Sequence, residues 1–442
     1  LKATTRDKLL AAMGIVIGNE PSNEDIEQQL VDYHDGPWLR PLPPCKIIHN
    51  GSENQSISLI LPQSDGHRAL TISVGNSQGE KFQQQLNTAH CQQQDKRHIN
   101  GVDYIKYAIP LTTPLTIGYW QLEITAQQEI YTSELIVCPQ TCYQPSFLEH
   151  KRVWGIAAQI YSLRSDTDWG IGTFSELKTL VKESALNGCD SIGINPIHPL
   201  YWSAPEHCSP YSPSSRQFIN PIYIDVALVP GYESQDKVQE MAHSEQVKTL
   251  REQSLIDYEG VTAIKDAALT LLFTHFMGSE DRHQINRFKA FCEQQGQLLH
   301  SFATYSAIFE HQFNEHDQFG WSQWPETLQC PNQQAVKTFQ QEHKTRIVYF
   351  KFLQWLAHEQ LQAVVTQAQQ SMAVGLYLDL AVGCHDAGAE VWSHSQQFVL
   401  GASVGAPPDA LSALGQSWGL PPVNPHYMAN SGYQSFRTML QQ

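Results

Sequence analysis

The sequence is poor in charge, and positive charge is the scarcer sign. Lys and Arg number 28 against 44 Asp and Glu, giving a net charge of −16, and charged residues make up only 16% of the chain. Nucleic acid and anionic membranes reward clustered Lys and Arg, so neither fits as the main partner. No run approaches the ~18 consecutive apolar residues of a transmembrane helix. Cys-x-x-Cys pairs are absent. The nine cysteines are odd in number, and their closest spacing is Cys138-Pro-Gln-Thr-Cys142. That pattern predicts free thiols in a reducing cytoplasm rather than a secreted disulfide scaffold. The 19 His are scattered rather than paired at zinc-ligand spacing. Behind Leu1, Lys2 and Arg6 there is no apolar stretch, so the start does not read as a signal peptide, and the missing Met suggests a trimmed N-terminus. What fills the chain instead is uncharged polarity, mostly Gln, Ser, Asn and Thr, a composition compatible with an uncharged polar ligand.

At 442 residues the chain predicts two or three domains. Residues 1–42 carry two short helical patterns, one over Thr5 to Met13 and one opening at Pro21-Ser22-Asn23-Glu24. Residues 43–140 read as a β-sandwich, with alternating strands at Ile57/Leu59/Leu61, Leu70/Ile72/Val74, Tyr104 to Ile109, Tyr119 to Ile124 and Tyr131 to Val137. The Gln-rich run from Gln83 to Gln94 is expected to be a loop. Residues 150–442 change character. A buried strand at Val153 to Ile160, a helix over Phe174 to Leu186 and a strand at Ser191 to Pro196 form a β-α-β unit. A mostly helical excursion over about 232–370 follows, including the stripe Ile264, Ala268, Leu271, Leu272, His275 and a long helix from Ile347 to Val365. A third strand runs from Gly375 to Val382. The fold class expected is therefore multidomain: an N-terminal β-sandwich, then the first part of a (β/α)8 barrel, three strands long, with a large helical insertion.

Four polar constellations lie at the C-terminal ends of those strands, the face where barrel active sites form. Ser162 to Gly172, ending in Asp168-Trp169-Gly170-Ile171-Gly172, reads as a tight turn, because a phosphate loop would need a Lys and more glycines. Asn195-Pro196-Ile197-His198 leads into Cys208-Ser209-Pro210-Tyr211-Ser212-Pro213-Ser214-Ser215-Arg216. Hydroxyls with a proline-stiffened Tyr suit sugar recognition, or equally an ordered turn before an expected strand at Ile222 to Val226. Asp379 sits in the apolar third strand on the face of Tyr377 and Ala381, and a carboxylate there must be paired or functional. Gly405-Ala406-Pro407-Pro408-Asp409 and Gly415-Gln416-Ser417-Trp418-Gly419-Leu420-Pro421-Pro422 read as a shaped loop offering an amide and an aromatic plate. Cys384-His385-Asp386 lists the residues of a thiol triad, but such groups meet through folding and not as neighbours. His311, His316, His343 and His358 read as packed or solvated helical residues.

Together the stretches Gln159 to Ser165, Trp169 to Gly172, Asn195 to His198, Ser209 to Arg216, Tyr223-Ile224-Asp225, Gly375 to Gly383, Gly405 to Asp409 and Gly415 to Pro422 resemble the amylomaltases. These bacterial 4-α-glucanotransferases are also called disproportionating enzymes. The motifs fall in family order from about residue 152 onward, and the N-terminal sandwich looks like the extension of enterobacterial-type members. The resemblance implies a cytoplasmic bacterial enzyme that cleaves α-1,4-glucans and passes the glucanosyl unit to the 4-OH of another glucan or of glucose. Retaining chemistry with two carboxyls ~5–5.5 Å apart is implied, with no cofactor and no metal. By motif match Ser209 and Tyr211 would contact sugar, Asp379 would sit at the barrel mouth, and Asp409, Gln416 and Trp418 would belong to a glucan-binding loop.

The family's nucleophile lies in an Arg-Ile-Asp-His type segment, its general acid in a Glu-Asp segment and a further essential acid in a Thr-His-Asp segment, and none of these occurs among the 442 residues. Tyr433 to Gln442 looks like the helix before a fourth barrel strand. The expectation is therefore an N-terminal portion without catalytic acids, inactive alone, whose partner would include the rest of the barrel. The competing readings are a non-catalytic glucan-binding module and an α-glucan hydrolase on a related barrel.

Overall fold

A computed structural model of the chain describes residues 3–12, 15, 22–51, 55–63 and 68–441. Met13, Pro21 and Gln442, at the edges of expected helices, lie outside the described residues. Two compact units form, Leu1–Glu149 together with Val423–Gln442, and His150–Pro422.

The first unit opens with helices α1 (Ala3–Ala12) and α2 (Asn23–Asp35), the latter started by a capping box between Ser22 and Asp25. Strands β1 (Cys45–His49), β2 (Ser56–Pro62), β3 (Ala69–Asn76), β4 (Lys81–Asn87), β5 (Gln92–Ile99), β6 (Val102–Pro110), β7 (Gly118–Ala126) and β8 (Glu129–Cys138) make two sheets, ordered β1-β8-β7-β3-β4 and β2-β6-β5. Alternation on these strands turns Ile57, Leu59, Leu61, Leu70, Ile72, Ile109, Trp120, Leu122, Ile124 and Leu135 into one shared core, which is the sandwich.

The Gln-rich run is not a loop. It supplies edge strand β4, antiparallel to β3, and the start of β5, antiparallel to β6. On β4 the inward positions are Phe82, Gln84 and Leu86, so Gln84 interrupts the apolar alternation that marks a half-buried strand. Its amide is satisfied by a segment distant in sequence: Nε2 donates to the Pro110 carbonyl (2.6 Å) and Oε1 accepts from the Thr112 backbone (3.1 Å). Short helices α11 (Pro425–Asn430) and α12 (Gln434–Gln441) also belong to this unit rather than to the 150–442 segment expected from the sequence. Arg437 explains it, lying 3.8 Å over the Tyr119 ring and 3.2 Å from the Glu134 carboxylate.

The second unit contains β9 (Gly155–Ala158), α3 (Phe174–Leu186), β10 (Ser191–Ile194) and β11 (Gly375–Leu378), which form a parallel sheet in the order β11-β10-β9. The third strand is shorter than expected and ends one residue before Asp379. β9 and β11 are sheet edges, and Trp154, Ile156, Tyr377, Leu378 and Val382 are exposed along them. Between β10 and β11 run α4 (Asp236–Ala242), α5 (Glu245–Glu252), α6 (Tyr258–Met277), α7 (Arg282–His316, kinked at Gly296), α8 (Gln334–Glu342) and α9 (Lys344–Ser371). Their aromatic and aliphatic faces join Phe174, Leu177 and Ile192 of the β-α-β unit in one core.

Ile222 to Val226 is not a strand. Two single-turn helices replace it, Pro221–Tyr223 and Val226–Leu228, because side chains take the backbone partners a ladder would provide. Asn220 accepts from Ile222 N (3.1 Å) and Asp225 from Ala227 N (2.9 Å), while Gln360 bonds both backbone groups of Asp225. Fully buried Lys265 donates to the carbonyls of Ile222 (2.6 Å) and Ile224 (2.9 Å). Desolvation pushes its pKa down to about 8 against the pull of Asp225, Glu176 and Asp168. Lys265→Met, which fills the same space but leaves both carbonyls without that donor, is expected to destabilise the chain by about 2–3 kcal/mol. Urea unfolding at pH 7 measures it, and a loss below about 0.5 kcal/mol would show that other donors serve those carbonyls.

Candidate functional site

The C-terminal ends of β9, β10 and β11 run directly into Gln159, Asn195 and Asp379. Asn195 ties the first two ends together: its Oδ1 accepts from Ile160 N (2.8 Å) and its Nδ2 donates to the Tyr223 hydroxyl (3.1 Å). Asp379 is anchored by its backbone N–H to the Ile194 carbonyl (3.2 Å). The turn after β9 is structural, as its composition suggests. Asp168 accepts from the backbone of Ser165 (2.9 Å) and Gly170 (2.8 Å), and Arg251 donates to the Asp168 carbonyl (2.8 Å). A Cβ on Gly172 would lie 2.1 Å from the Ile160 carbonyl oxygen, so only glycine permits this close return of the chain.

The Ser/Tyr/Pro-rich loop divides its labour. Ser214, Ser215 and Arg216 are buried and structural. Arg216 donates from its backbone N–H (2.7 Å) and from Nη2 (2.8 Å) to the two oxygens of Glu390, and from Nη1 to the Val382 carbonyl (3.2 Å). Ser214 accepts through its hydroxyl from Ala389 N (3.0 Å) and through its carbonyl from Glu390 N (3.0 Å). Glu390 sits in α10 (Ala389–Ser393), so this loop is stitched to the segment that follows β11. Ser209 and Tyr211, at the outer end, are exposed. Slight desolvation and then the nearby Asp379 carboxylate hold the Tyr211 phenol above its ordinary pKa. Folding thus brings Tyr211 and Asp379 together although they are far apart in sequence.

Nearby, His198 is buried, and its Nε2 has no hydrogen-bond partner among the described residues. Desolvation lowers its pKa to about 4, with Arg216 acting in the same direction and Glu390 and Asp379 opposing. The site therefore holds a neutral imidazole at neutral pH.

Gln416 and Trp418 occupy an antiparallel hairpin made of β12 (Val404–Ala406) and β13 (Gln416–Leu420). Both are exposed, and the indole N–H donates to the Gln416 side-chain Oε1 (2.9 Å), which fixes the plate against the amide. Gly405 is required here, since a Cβ would fall 1.9 Å from the Gln416 backbone oxygen. Asp409 works within the hairpin's turn, its carboxylate accepting from Leu411 N (2.8 Å) and Ser412 N (2.7 Å). The hairpin shares no hydrogen bond with Tyr211 or Asp379 among the described residues.

Sequence reasoning missed the Arg216–Glu390 pair and the buried character of His198. A charge inside the otherwise apolar Ala389-Glu390-Val391-Trp392 was the available signal for the first. His385 and Asp386, by contrast, form no nucleophilic set with Cys384, whose thiol is fully buried and pushed well up by desolvation.

The chain matches the family model described as 4-alpha-glucanotransferase over residues 158–442 and that described as the MalQ N-terminal beta sandwich domain over residues 41–139. It is 38% identical to a 4-alpha-glucanotransferase of Haemophilus influenzae, across 74% of this chain and 48% of that protein. Identity to the 4-alpha-glucanotransferase of Mycobacterium tuberculosis is 30%, across 98% of this chain and 59% of that protein. The crystal structure of amylomaltase from Corynebacterium glutamicum superposes with a TM-score of 0.81 at 29% identity, covering 99% of this chain and 59% of that one. Amylomaltase from Streptococcus agalactiae in complex with acarbose shares the fold, with a TM-score of 0.56 at 22% identity over 66% of this chain and 57% of that one. The chain spans roughly half to three-fifths of the length of these relatives.

Proposed function

Because the chain belongs to the 4-alpha-glucanotransferase family, we propose that it serves the transfer of glucanosyl units between α-1,4-glucans, with glucose as an alternative acceptor. The observation that carries this reading is the meeting of Tyr211 with Asp379 at the C-terminal ends of parallel strands β10 and β11. In this reading β9, β10 and β11 are the first three strands of a (β/α)8 barrel. Tyr211 offers a ring to the C–H face of a pyranose, Ser209 and Asp379 bond sugar hydroxyls, and Gln416 and Trp418 hold the glucan at a second place along its length. Asp409 contributes by shaping the turn that carries them. An aromatic-lined groove that favours a sugar acceptor over water would promote transfer over hydrolysis. All nine cysteines are free thiols, which suits a reducing compartment.

We propose further that these 442 residues bind glucan without turning it over at an enzyme-like rate. Retaining transfer needs two carboxyls about 5–5.5 Å apart. Three acids near these strand ends are already committed: Asp168 to its turn, Asp225 to Ser175 and Ala227, and Glu390 to Arg216. Calorimetric titration with maltoheptaose is expected to show saturable binding, weakened about tenfold in Trp418→Ala, equivalent to ~1.4 kcal/mol. Gly405→Ala, which displaces the strand carrying Trp418, should weaken binding as much while leaving the unfolding midpoint within a few degrees of the parent. Unchanged affinity in both variants would remove the hairpin from the binding site. Incubation with maltotriose tests the second proposal, and rapid formation of glucose and longer maltodextrins would overturn it.

A further inference from the structure

The largest cleft described in the first unit, about 650 Å³, is distant in chemistry from the site above. Its floor includes Ser58 and Ile60 of β2 and Lys106 of β6, the last directly opposite Ile60 in the strand register. Because Ile57, Leu59 and Leu61 face the sandwich core, this floor is the outer face of the three-stranded sheet. Helix α2 contributes Tyr33 to one wall, α11 contributes His426, and the segment between α2 and β1 contributes Arg40.

Two properties set the cleft apart. The first is charge. Arg40, Lys46 and Lys106 line it against a single carboxylate, Asp32, in a chain where acids outnumber bases 44 to 28. Neither lysine has an ion-pair partner among the described residues, although both are half-buried. Arg40 is held by Asn430 (3.0 Å), and Asp32 accepts from Gln28 (2.9 Å) and forms no ion pair with either lysine, so three cations face one carboxylate. Unpaired cations gathered in a concave, partly desolvated place attract an anion more strongly than the same cations on an open surface. The second is an aromatic wall. The Tyr33 ring is 43% exposed and meets the His426 ring edge-on at 6.0 Å, with the amides of Gln29 and Asn430 beside it. A flat apolar ring bordered by amides suits the C–H face and hydroxyls of a pyranose.

We propose that this cleft is a binding site for a hexose phosphate, its phosphate on Lys46, Lys106 and Arg40 and its sugar ring against Tyr33. The volume falls in the ~300–1,000 Å³ range of small-molecule pockets. The proposal is independent of the glucan reading, because it uses none of the residues at the ends of β10 and β11. It gives the sandwich unit a ligand of its own, related to the glucan but distinguished from it by charge.

Calorimetric titration of the full chain with glucose 1-phosphate, glucose 6-phosphate, inorganic phosphate and glucose tests it. At least one hexose phosphate is expected to bind with one-to-one stoichiometry, and raising the salt concentration should weaken it. Glucose should bind at least tenfold more weakly. Lys46→Met combined with Lys106→Met keeps the aliphatic stems and should weaken hexose phosphate binding at least tenfold. Tyr33→Ala should weaken hexose phosphate but leave inorganic phosphate unchanged. Melting curves of each variant, expected within a few degrees of the parent, keep loss of binding separate from loss of fold. No saturable binding, or equal affinity in the double Met variant, would overturn the site. Inorganic phosphate binding as tightly as either hexose phosphate would overturn the sugar half of the assignment.

Discussion

Glu390→Ala is expected to destabilise the second unit by about 3–5 kcal/mol, the range for breaking one side of a buried ion pair. At roughly 2–4 °C per kcal/mol for a unit of this size, the melting temperature should fall by about 6–20 °C. Both partners are more than nine-tenths buried, so water does not replace the lost carboxylate. The substitution strips Arg216 of the acceptors for its backbone N–H and for Nη2, and leaves Nη1 on the Val382 carbonyl. Arg216 Nε already has no partner among the described residues, so the guanidinium has no spare bond to fall back on. Glu390→Gln keeps an acceptor and should lose about half as much. Replacing both members by Met should recover most of the loss, because it removes the unpaired charge as well as the pair. The same pair holds the inner end of the loop whose outer end carries Tyr211, so Glu390→Ala should also weaken glucan binding at temperatures where the variant remains folded. A melting temperature within 2 °C of the parent would show that solvent or another acid compensates Arg216.

This pair also marks where the sequence stopped being readable. The order strand, helix, strand, helical excursion, strand follows from periodicity, and the three parallel strands appear in that order because short apolar runs bounded by turns have few other places to go. Alternation likewise revealed the sandwich strands whose inward residues are all apolar. It failed at β4, where Gln84 faces inward and closes its bonds on Pro110 and Thr112, contacts separated by more than twenty residues. It failed in the opposite sense at Ile222 to Val226, an apolar run whose backbone partners are Lys265, Gln360 and Asn220 side chains. The position of α12 depends on Arg437 finding Tyr119 and Glu134, which no local pattern contains. At the candidate site, residue types pointed to Ser209, Tyr211 and Asp379. They did not separate the exposed half of the hydroxyl-rich loop from the buried half, because Ser209 and Ser214 look alike until tertiary contacts bury one of them. That Asp409 belongs to a loop was legible, but not that its Oδ1 accepts the Leu411 and Ser412 backbone N–H groups within the turn.

His198 should make the chain acid-sensitive in a window that carboxylates alone do not explain. Its folded-state pKa, about 4, lies below the ordinary 6.5, chiefly through burial and secondarily through Arg216. The unfolded chain therefore binds a proton that the folded chain refuses between those two values. Stability from this group is fully present above pH ~6.5 and is lost progressively as pH falls toward ~4. At pH 5 the linkage amounts to about 2 kcal/mol relative to pH 7, and it saturates near 3 kcal/mol below pH ~4. His198→Gln retains hydrogen-bonding capacity without a titrating ring. In urea unfolding at both pH values, the parent should lose about 2 kcal/mol more than the variant between pH 7 and pH 5. Facing groups set the direction of a second comparison. Glu390 and Asp379 both favour the imidazolium, so Glu390→Gln should push the His198 pKa lower still and extend its acid window downward. Parallel losses in parent and His198→Gln would show that the imidazole accepts its proton in the folded state at pH 5. In that case Nε2 is reached by water, and a ligand hydroxyl can reach the same nitrogen.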